Sequence, residues 1–572
     1  MRSPLVRSVL VANQEKHVIE RGAQLQNLAG RMFDVLVIGG GINGAASAAA
    51  LSAAGAKVAL VEARDFAGFT SSESSNLIWG GIKYLETLEV ALVRKLCLGR
   101  NKLMRAYPEA IKETRFLAVV DRKSRFPAMF LWLGAWIYWW LGNRFTRKPR
   151  YLSRHDIASE ETIVKAANLT GGLMYSDARL VDGDARFVLN LVKKAIGFGA
   201  MTINYLAVTR LQREPGGTWT ATVVDGVTGR ESCLQARFLV NAAGPFADEL
   251  NRQAQFETST HHVFSKGIHL VVDRITDSNR VLTFFADDGR MFFAIPLGDK
   301  TCIGTTDTPV ESPLTRVSDA DRKFVLDNIN NCLNLATPLT KDDILTERCG
   351  VRPLAMARSR EYKTGQWLQM SRKHVLQASE KLGMVSIFGG KLTDCLQIGG
   401  EVCGALSDFG CQLQMGKWYG EPGLESRDGF AARLREVIQI PEQNIDLPCY
   451  RLWRIYLVGA IEILESILSE NRGAELVIRP AKICRAELEL IRNQEMVVTL
   501  EDFLRRRTLL AQTHGLSELA SMPGIRAACE VLFGNQAEQR YEEYFQMHPP
   551  IEIQSSHKNK NINAKDEVVR KP

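Results

Sequence analysis

Residues 33–55 read FDVLVIGGGINGAASAAALSAAG. The run from Phe33 to Ile38 is mostly large and apolar, the pattern of a buried strand, and the alanine-rich run from Ile42 to Ala54, stopped by Gly55, is the pattern of a helix. Lys57 to Val61 then supplies a second strand, which completes a βαβ unit. Between strand and helix lies Gly39-Gly40-Gly41-Ile42-Asn43-Gly44, a G-x-G-x-x-G turn, and Glu62 ends the second strand. Each part has a physical task in holding a dinucleotide. Gly39 permits the tight turn, Gly41 lets a pyrophosphate approach the helix N-terminus, Gly44 allows close helix-to-strand packing, and the Glu62 carboxylate accepts from ribose hydroxyls. The turn alone is weak evidence of a ligand. The strand, the helix and the placed acid together make it strong, yet they do not separate FAD from NAD.

Segments further along favour FAD. Phe238 to Pro245 (FLVNAAGP) is an apolar strand breaking into small residues, so that backbone near Gly244 can approach a large cofactor a second time. By itself this reads equally as a strand-to-loop turn. Thr70 to Gly81 (TSSESSNLIWGG) places the hydroxyls of Ser71, Ser72, Ser74 and Ser75 shortly after Glu62, where they can bond phosphates or flavin edges, and leads into Gly80-Gly81-Ile82-Lys83-Tyr84. An isolated serine run would more simply be a solvated loop.

Further strand-like runs at Ala221–Val224, Arg237–Val240, Ile268–Val272, Arg290–Ile295 and Met384–Phe388 predict an α/β chain with an interleaved, more antiparallel part. From about Ala405 the pattern becomes helical, at Ala431–Ile438, Trp453–Leu468, Lys482–Ile491 and Leu500–Leu510, which predicts a helical C-terminal domain over 405–550. The polar stretch 551–572 reads as a disordered tail.

The 572 residues carry 72 basic and 64 acidic side chains, a net charge of +8 that suits an anionic substrate or an acidic membrane surface and is too small to imply nucleic acid. Eleven cysteines are scattered with no C-x-x-C pair, which argues against a zinc site or a disulfide framework and for a reducing compartment; no metal is expected. Residues 1–31 mix Arg2 and Arg7 with Glu15 and Glu20 and make neither a good signal peptide nor a good transit peptide. Phe126 to Leu141 (FPAMFLWLGAWIYWWL) is short of the roughly 18 apolar residues of a spanning helix. Its tryptophans and basic flanks fit an interfacial helix, and a helix in the core or at a domain interface fits as well.

The segments IGGGINGA, TSSESSNLIWGGIKYLE, YSDARLVDGDARFVL, LVNAAGP, IGTTDT, GVRPL, SIFGGKLTD and MVVTLEDFLRRRT, running from about residue 33 to 508, resemble the FAD-dependent glycerol-3-phosphate dehydrogenases in the family's own order. The resemblance implies a Rossmann-like FAD-binding domain of the glutathione-reductase and D-amino-acid-oxidase type, an interleaved mixed-sheet substrate domain and a helical C-terminal domain. On this basis FAD-binding parts are expected at about 33–115, 175–255 and 350–404, and substrate parts at 116–174 and 256–349. It further implies oxidation of sn-glycerol 3-phosphate to dihydroxyacetone phosphate, with electrons passed to a quinone by a protein held at the inner face of the cytoplasmic membrane; a homodimer is left open. An oxidase using oxygen and an amine or amino-acid oxidase on the same fold are the enzymatic alternatives; a structural flavin beside a partner-binding helical domain is the non-enzymatic one.

Carried over residue by residue, the resemblance implies a pocket formed by Lys83, Tyr84, His269, Arg352, Arg372 and Lys391. Cationic forks and point charges suit a phosphate monoester. His269 is the candidate base for the alcohol proton, since an imidazole titrates near working pH. Arg352 is the candidate for holding the substrate and stabilising negative charge. Gly389 and Gly390, ahead of Lys391, are expected at the flavin's pyrimidine edge, and Thr305, Thr306 and Asp307 as a polar turn nearby. The sequence departs from the family pattern at Trp79, where a His is common, and at Lys83, where an Arg is common. Because that His anchors the flavin in some relatives, non-covalent FAD is expected here.

Overall fold

The computed structural model describes residues 21–28, 30–122, 124–286, 290–359, 373–438, 449–470 and 472–547. Met32–Ile38 lies at the centre of an eight-stranded sheet whose main path runs Val375–Ser379, Met384–Phe388, Glu231–Asn241, Met32–Ile38, Val58–Val61, Met201–Ile203. Pairing is parallel on both sides of the central strand, with Val35 opposite both Val58 and Phe238. Parallel strands need crossovers, and the crossover helices cover the sheet face, which is why Val58–Val61 and Met384–Phe388 are buried throughout.

The first crossover, Ile42–Ala53, buries Gly44 to Ser52 without interruption. Its alanines and glycine leave room for a second helix, Cys395–Asp408, to lie against it, and a Cβ at Gly399 would come within 3.0 Å of the Ala46 carbonyl oxygen. Burial of each larger strand side chain, such as Leu36 or Leu60, contributes about 1.5–3 kcal/mol.

A ten-stranded, largely antiparallel sheet follows the path Thr308–Val310, Thr260–Asp273, Lys300–Gly304, Met291–Leu297, Val281–Phe285, Ile111–Asp121, Leu169–Leu180, Leu77–Ile78; Thr346–Ala357 pairs along the length of Thr260–Asp273. Every strand read from the sequence overlaps an observed one, although Lys57 and Arg290 each lie one residue ahead of the strands Val58–Val61 and Met291–Leu297.

The C-terminal third is less regular than its periodicity suggests. The helix expected over Trp453–Leu468 is two helices, Cys449–Tyr456 and Gly459–Ser469, parted at Leu457, whose φ of 52° lies in the left-handed region. The expected helix over Lys482–Ile491 begins as a short strand, Ile483–Cys484, and turns helical at Arg485. Leu500–Leu510 contains a π-helical turn, Asp502–Arg507. Periodicity records which residues face the core; it does not record where the backbone breaks.

Ala128–Leu141 is one helix. Ala128, Ala135, Tyr138 and Leu141 are buried, while Met129, Phe130, Leu133, Ile137 and Trp140 lie 51–65% exposed. No helix among the described residues is long and apolar enough to cross a membrane. The tail 551–572 and residues 1–20 and 29 of the N-terminal segment lie outside the described residues.

Candidate functional site

The glycine turn has the close approaches that its sequence requires. Gly39 sits at φ +111°, and a Cβ there would lie 2.7 Å from the Ala242 carbonyl carbon; a Cβ at Gly44 would overlap the Gly39 carbonyl oxygen. The Ile42 amide at the head of the helix donates to Ser71 Oγ (3.1 Å). Glu62 accepts from the Gly40 amide at 2.6 Å and from the Arg64 amide at 2.8 Å. Burial raises its pKa against the pull of these two amides.

Two cavities open over this turn, of about 280 and 260 Å³. Both are walled by Ile42, Thr70, Ser71, Pro353, Gly389 and Gly390, so they are the two halves of one elongated cleft. The first half is lined by Gly39, Gly41, Glu62 and Gly244; the second by Trp79, Tyr84, Arg352, Lys391 and Asp184. A long ligand with a pyrophosphate in its middle fits this arrangement. Glycine-made space and a helix N-terminus occupy one half, and cations and aromatics the other. Asn43 Oδ1, also at the wall, is buried with no hydrogen-bond partner among the described residues.

The cationic half is built on one sheet face. Ser265, Gly267 and His269 alternate along one strand, and Arg352, Gly350 and Arg348 stand opposite them in register. Side chains two apart share a face, so these six belong together. Arg352 crosses over Gly267, where a Cβ would overlap its guanidinium, and donates to Thr305 Oγ1 (2.8 Å) and the Thr306 carbonyl (3.2 Å). Thr305 and Thr306 thus hold this arginine, and Asp307 stands 3.7 Å from it.

Lys391 Nζ donates to the Tyr84 hydroxyl at 3.0 Å and lies 4.4 Å above the centre of that ring. Lys83, in the 3₁₀ turn Ile82–Leu85, is half-buried but does not line the cleft. Ser72 is turned away from it and donates to the Phe69 carbonyl. Arg372 lies outside the described residues.

His269 is 2% exposed and stands behind the cleft wall, its ring against Gly304. Among the described residues neither of its ring nitrogens has a hydrogen-bond partner. Burial, with the charges of Arg348 and Arg352, pushes its pKa well below the usual imidazole value. The ring is therefore neutral across the physiological range, the form that can accept a proton.

Two residues to which the sequence assigns no role stand out. Arg348, directly opposite His269, is 1% exposed and donates to the Ser74 carbonyl at 3.1 Å. Asp184 begins the helix Asp184–Gly197 at the cleft wall, accepting from the amides of Ser74 and Ala185, each at 2.9 Å. Burial raises its carboxyl to about 6. Asp184 sits within a segment that matches the family pattern and Arg348 two residues ahead of one, but neither spacing nor composition distinguishes them from ordinary core or capping residues.

Residues 34–394 match the family described as FAD dependent oxidoreductase. The aerobic glycerol-3-phosphate dehydrogenase of Bacillus subtilis (strain 168) is 33% identical over 385 residues, 67% of this chain and 68% of that protein. The Staphylococcus aureus (strain USA300) protein of the same name is 31% identical over 376 residues, 64% of this chain and 66% of its own length. Among solved structures, the glycerol-3-phosphate dehydrogenase of Bacillus halodurans complexed with FAD superposes with a TM-score of 0.69 at 24% identity, covering 93% of this chain and 97% of that one. An L-alpha-glycerophosphate oxidase of Mycoplasma pneumoniae with FAD bound gives 0.53 at 18% identity over 68% and 98%. The chain belongs to the FAD dependent oxidoreductase family and, within it, to the FAD-dependent glycerol-3-phosphate dehydrogenases.

Proposed function

We propose that this enzyme oxidises sn-glycerol 3-phosphate to dihydroxyacetone phosphate with non-covalently held FAD, and that the electrons pass to a quinone at a membrane surface. The observation that carries the reading is the cleft itself, with a dinucleotide turn in one half and Arg352, Lys391 and Tyr84 gathered in the other. Gly39, Gly41, Gly44, Glu62, Ser71, Gly244, Gly389 and Gly390 would hold the cofactor, which when bound supplies a hydride acceptor.

The protein's own side chains then have three tasks. Arg352 and Lys391 take the dianionic phosphate or the charge developing at the reacting end. Arg372 is proposed as a further phosphate cation, Lys83 as a positive charge beside the cleft lining that adds to the attraction of the phosphate, and Tyr84 as the group that fixes the Lys391 ammonium. His269 is proposed to take the alcohol proton on a ring nitrogen, since burial, together with its cationic neighbours, keeps it neutral.

The division into interleaved FAD and substrate parts over 33–404 and a helical domain over 405–550 belongs to the same proposal. Attachment to lipid through the exposed face of Ala128–Leu141 is supported by its apolar residues and by exposed Arg144, Arg147 and Lys148 beside it.

The test is anaerobic addition of sn-glycerol 3-phosphate to the yellow protein while the flavin band near about 450 nm is followed. Rapid bleaching is expected. An unbleached band with FAD bound would send the substrate assignment elsewhere, and peroxide formation rivalling quinone reduction would make the acceptor oxygen.

A further inference from the structure

Three consecutive arginines close the π-helical turn Asp502–Arg507. Such turns are rare and concentrate at functional sites. This one belongs to the C-terminal third, yet its side chains reach the cofactor-binding part of the chain. Arg506 Nε and Arg507 Nη1 each donate to Asp65 Oδ2 at 2.6 Å, and Arg507 Nη2 donates to Oδ1 at 2.8 Å. Burial alone would push the Asp65 carboxyl up, but Arg507 and Arg506 hold it down at about 2, so the contact is ionic. Arg505 forks onto Glu73, with Nε to Oε1 at 3.0 Å and Nη2 to Oε1 and Oε2 at 2.7 and 2.8 Å.

Asp65 and Glu73 are the two ends of one short segment. Its middle, Ala67 to Ser71, walls the cleft, and Ser74, immediately beyond, walls the other half. Glu73 is tied to more than the arginine. Its Oε2 accepts from the Cys349 amide at 3.1 Å, and its backbone and Cβ press on Gly350, where a Cβ would come 3.0 Å from Glu73 Cβ. Thr70 Oγ1 donates to the Val351 carbonyl at 2.6 Å. The segment therefore lies between the arginine turn and the strand that carries Arg352.

From this geometry we propose that the arginine turn is a clamp that sets the position of the Asp65–Glu73 cleft wall relative to the cofactor turn and Arg352, and that Arg505 is a positioning residue of the active site. It touches neither substrate nor cofactor. It acts through Glu73, and a bidentate guanidinium–carboxylate pair is the device for it, since it fixes orientation as well as distance. A displacement of about 1 Å at such a wall suffices to slow chemistry on the order of 100-fold.

The inference rests on the glycerol 3-phosphate reading only for its kinetic arm. The full-length holoenzyme and its Arg505→Met, Arg505→Lys and Glu73→Gln variants are compared by three readouts: the rate constant of flavin reduction per bound FAD on mixing with sn-glycerol 3-phosphate, the fine structure of the oxidised flavin band, and the FAD dissociation constant of the apoprotein. Arg505→Met is expected to slow reduction on the order of 100-fold per bound flavin and to alter the band. Arg505→Lys recovers part of the loss, because it keeps the charge and loses the fork.

Should Arg505→Met not fold, Glu73→Gln, which keeps the side-chain shape, carries the same expectation with a smaller loss. If the variants melt earlier but reduce at the wild-type rate per bound flavin, with an unchanged band and unchanged FAD affinity, the arginine turn is a structural tie only and the proposal falls. If the wild type itself is not bleached by the substrate, the substrate reading fails alone, and the band and the FAD affinity still decide the clamp.

Discussion

Gly267 and Gly350 stand directly opposite each other in the antiparallel ladder of Thr260–Asp273 and Thr346–Ala357, and each is covered by a group at or beside the cleft. The Arg352 guanidinium lies on Gly267, and the Glu73 backbone lies on Gly350. Two missing side chains thus form a floor between the pair Ser265 and Arg352 on one side and His269 and Arg348 on the other.

The floor makes Gly267→Ala a test of Arg352 that leaves the arginine in place. The new methyl would overlap the guanidinium and push it from Thr305 and Thr306. Loss of a preorganised cation costs about 2.7–4 kcal/mol, so flavin reduction by substrate should slow roughly 100- to 1000-fold with FAD still bound. Rapid-mixing kinetics of the two proteins measure this. A wild-type rate in Gly267→Ala, or in Arg352→Ala, would remove Arg352 from the reaction.

Trp79 lines the cleft and packs 6.2 Å, centre to centre, from the Tyr84 ring. An indole offers no nucleophilic nitrogen for a flavin bond, in contrast to the imidazole that some relatives carry at this point. Acid precipitation is expected to release all flavin from the polypeptide, as read by the absorbance of the supernatant and the pellet. Yellow colour left in the washed pellet would contradict the proposal of non-covalent FAD.

How much of this was legible in the chain depends on the kind of signal. Gly39, Gly41 and Gly44 are readable because close backbone approach admits only glycine, and the strands around them because an apolar run between glycine turns has few other uses. Gly267 and Gly350 come from the same chemistry, but their partners are set by register between strands some 80 residues apart, which no local pattern records. The same holds for Arg505. It is visible as part of a family segment, but its contact with Glu73 spans 432 positions. The break at Leu457 and the π turn at Asp502–Arg507 escape periodicity because both preserve the apolar face while changing the backbone.

The face of Ala128–Leu141 that points outward carries Met129, Phe130, Leu133, Ile137 and Trp140, while Tyr138 on the inner face donates to Asp177 at 2.6 Å and fixes the helix to the body. Glutamate at Ile137 and Trp140 would keep the inner face intact and remove the apolar one. Each apolar side chain lost from a lipid interface costs about 1–3 kcal/mol, so cosedimentation with anionic vesicles should weaken roughly tenfold or more per change, with catalysis of soluble acceptor reduction unaffected. Binding to vesicles unchanged in the double variant would detach this helix from the membrane reading.

Asp184 gives a pH dependence of definite sign. Its carboxyl is raised by burial from 3.8 to about 6 in the folded protein. Between these values the folded state binds a proton that the unfolded state has released. The stability contributed by the protonated carboxyl is therefore fully present below about 3.8 and falls as pH rises through about 6. A gap of about two pH units corresponds to roughly 3 kcal/mol. Asp184→Asn does not titrate, though it gives up one of the two carboxylate oxygens, which accept separately from the Ser74 and Ala185 amides, and is less stable than wild type at pH 4. Its deficit should shrink, or reverse, by pH 7, because only the wild type has to ionise a buried acid. Thermal midpoints of both proteins at a series of pH values measure the difference between them. A deficit that stays constant from pH 4 to 7 would mean that Asp184 titrates at its ordinary value, and that its charge is already paired by Arg348 when the protein folds.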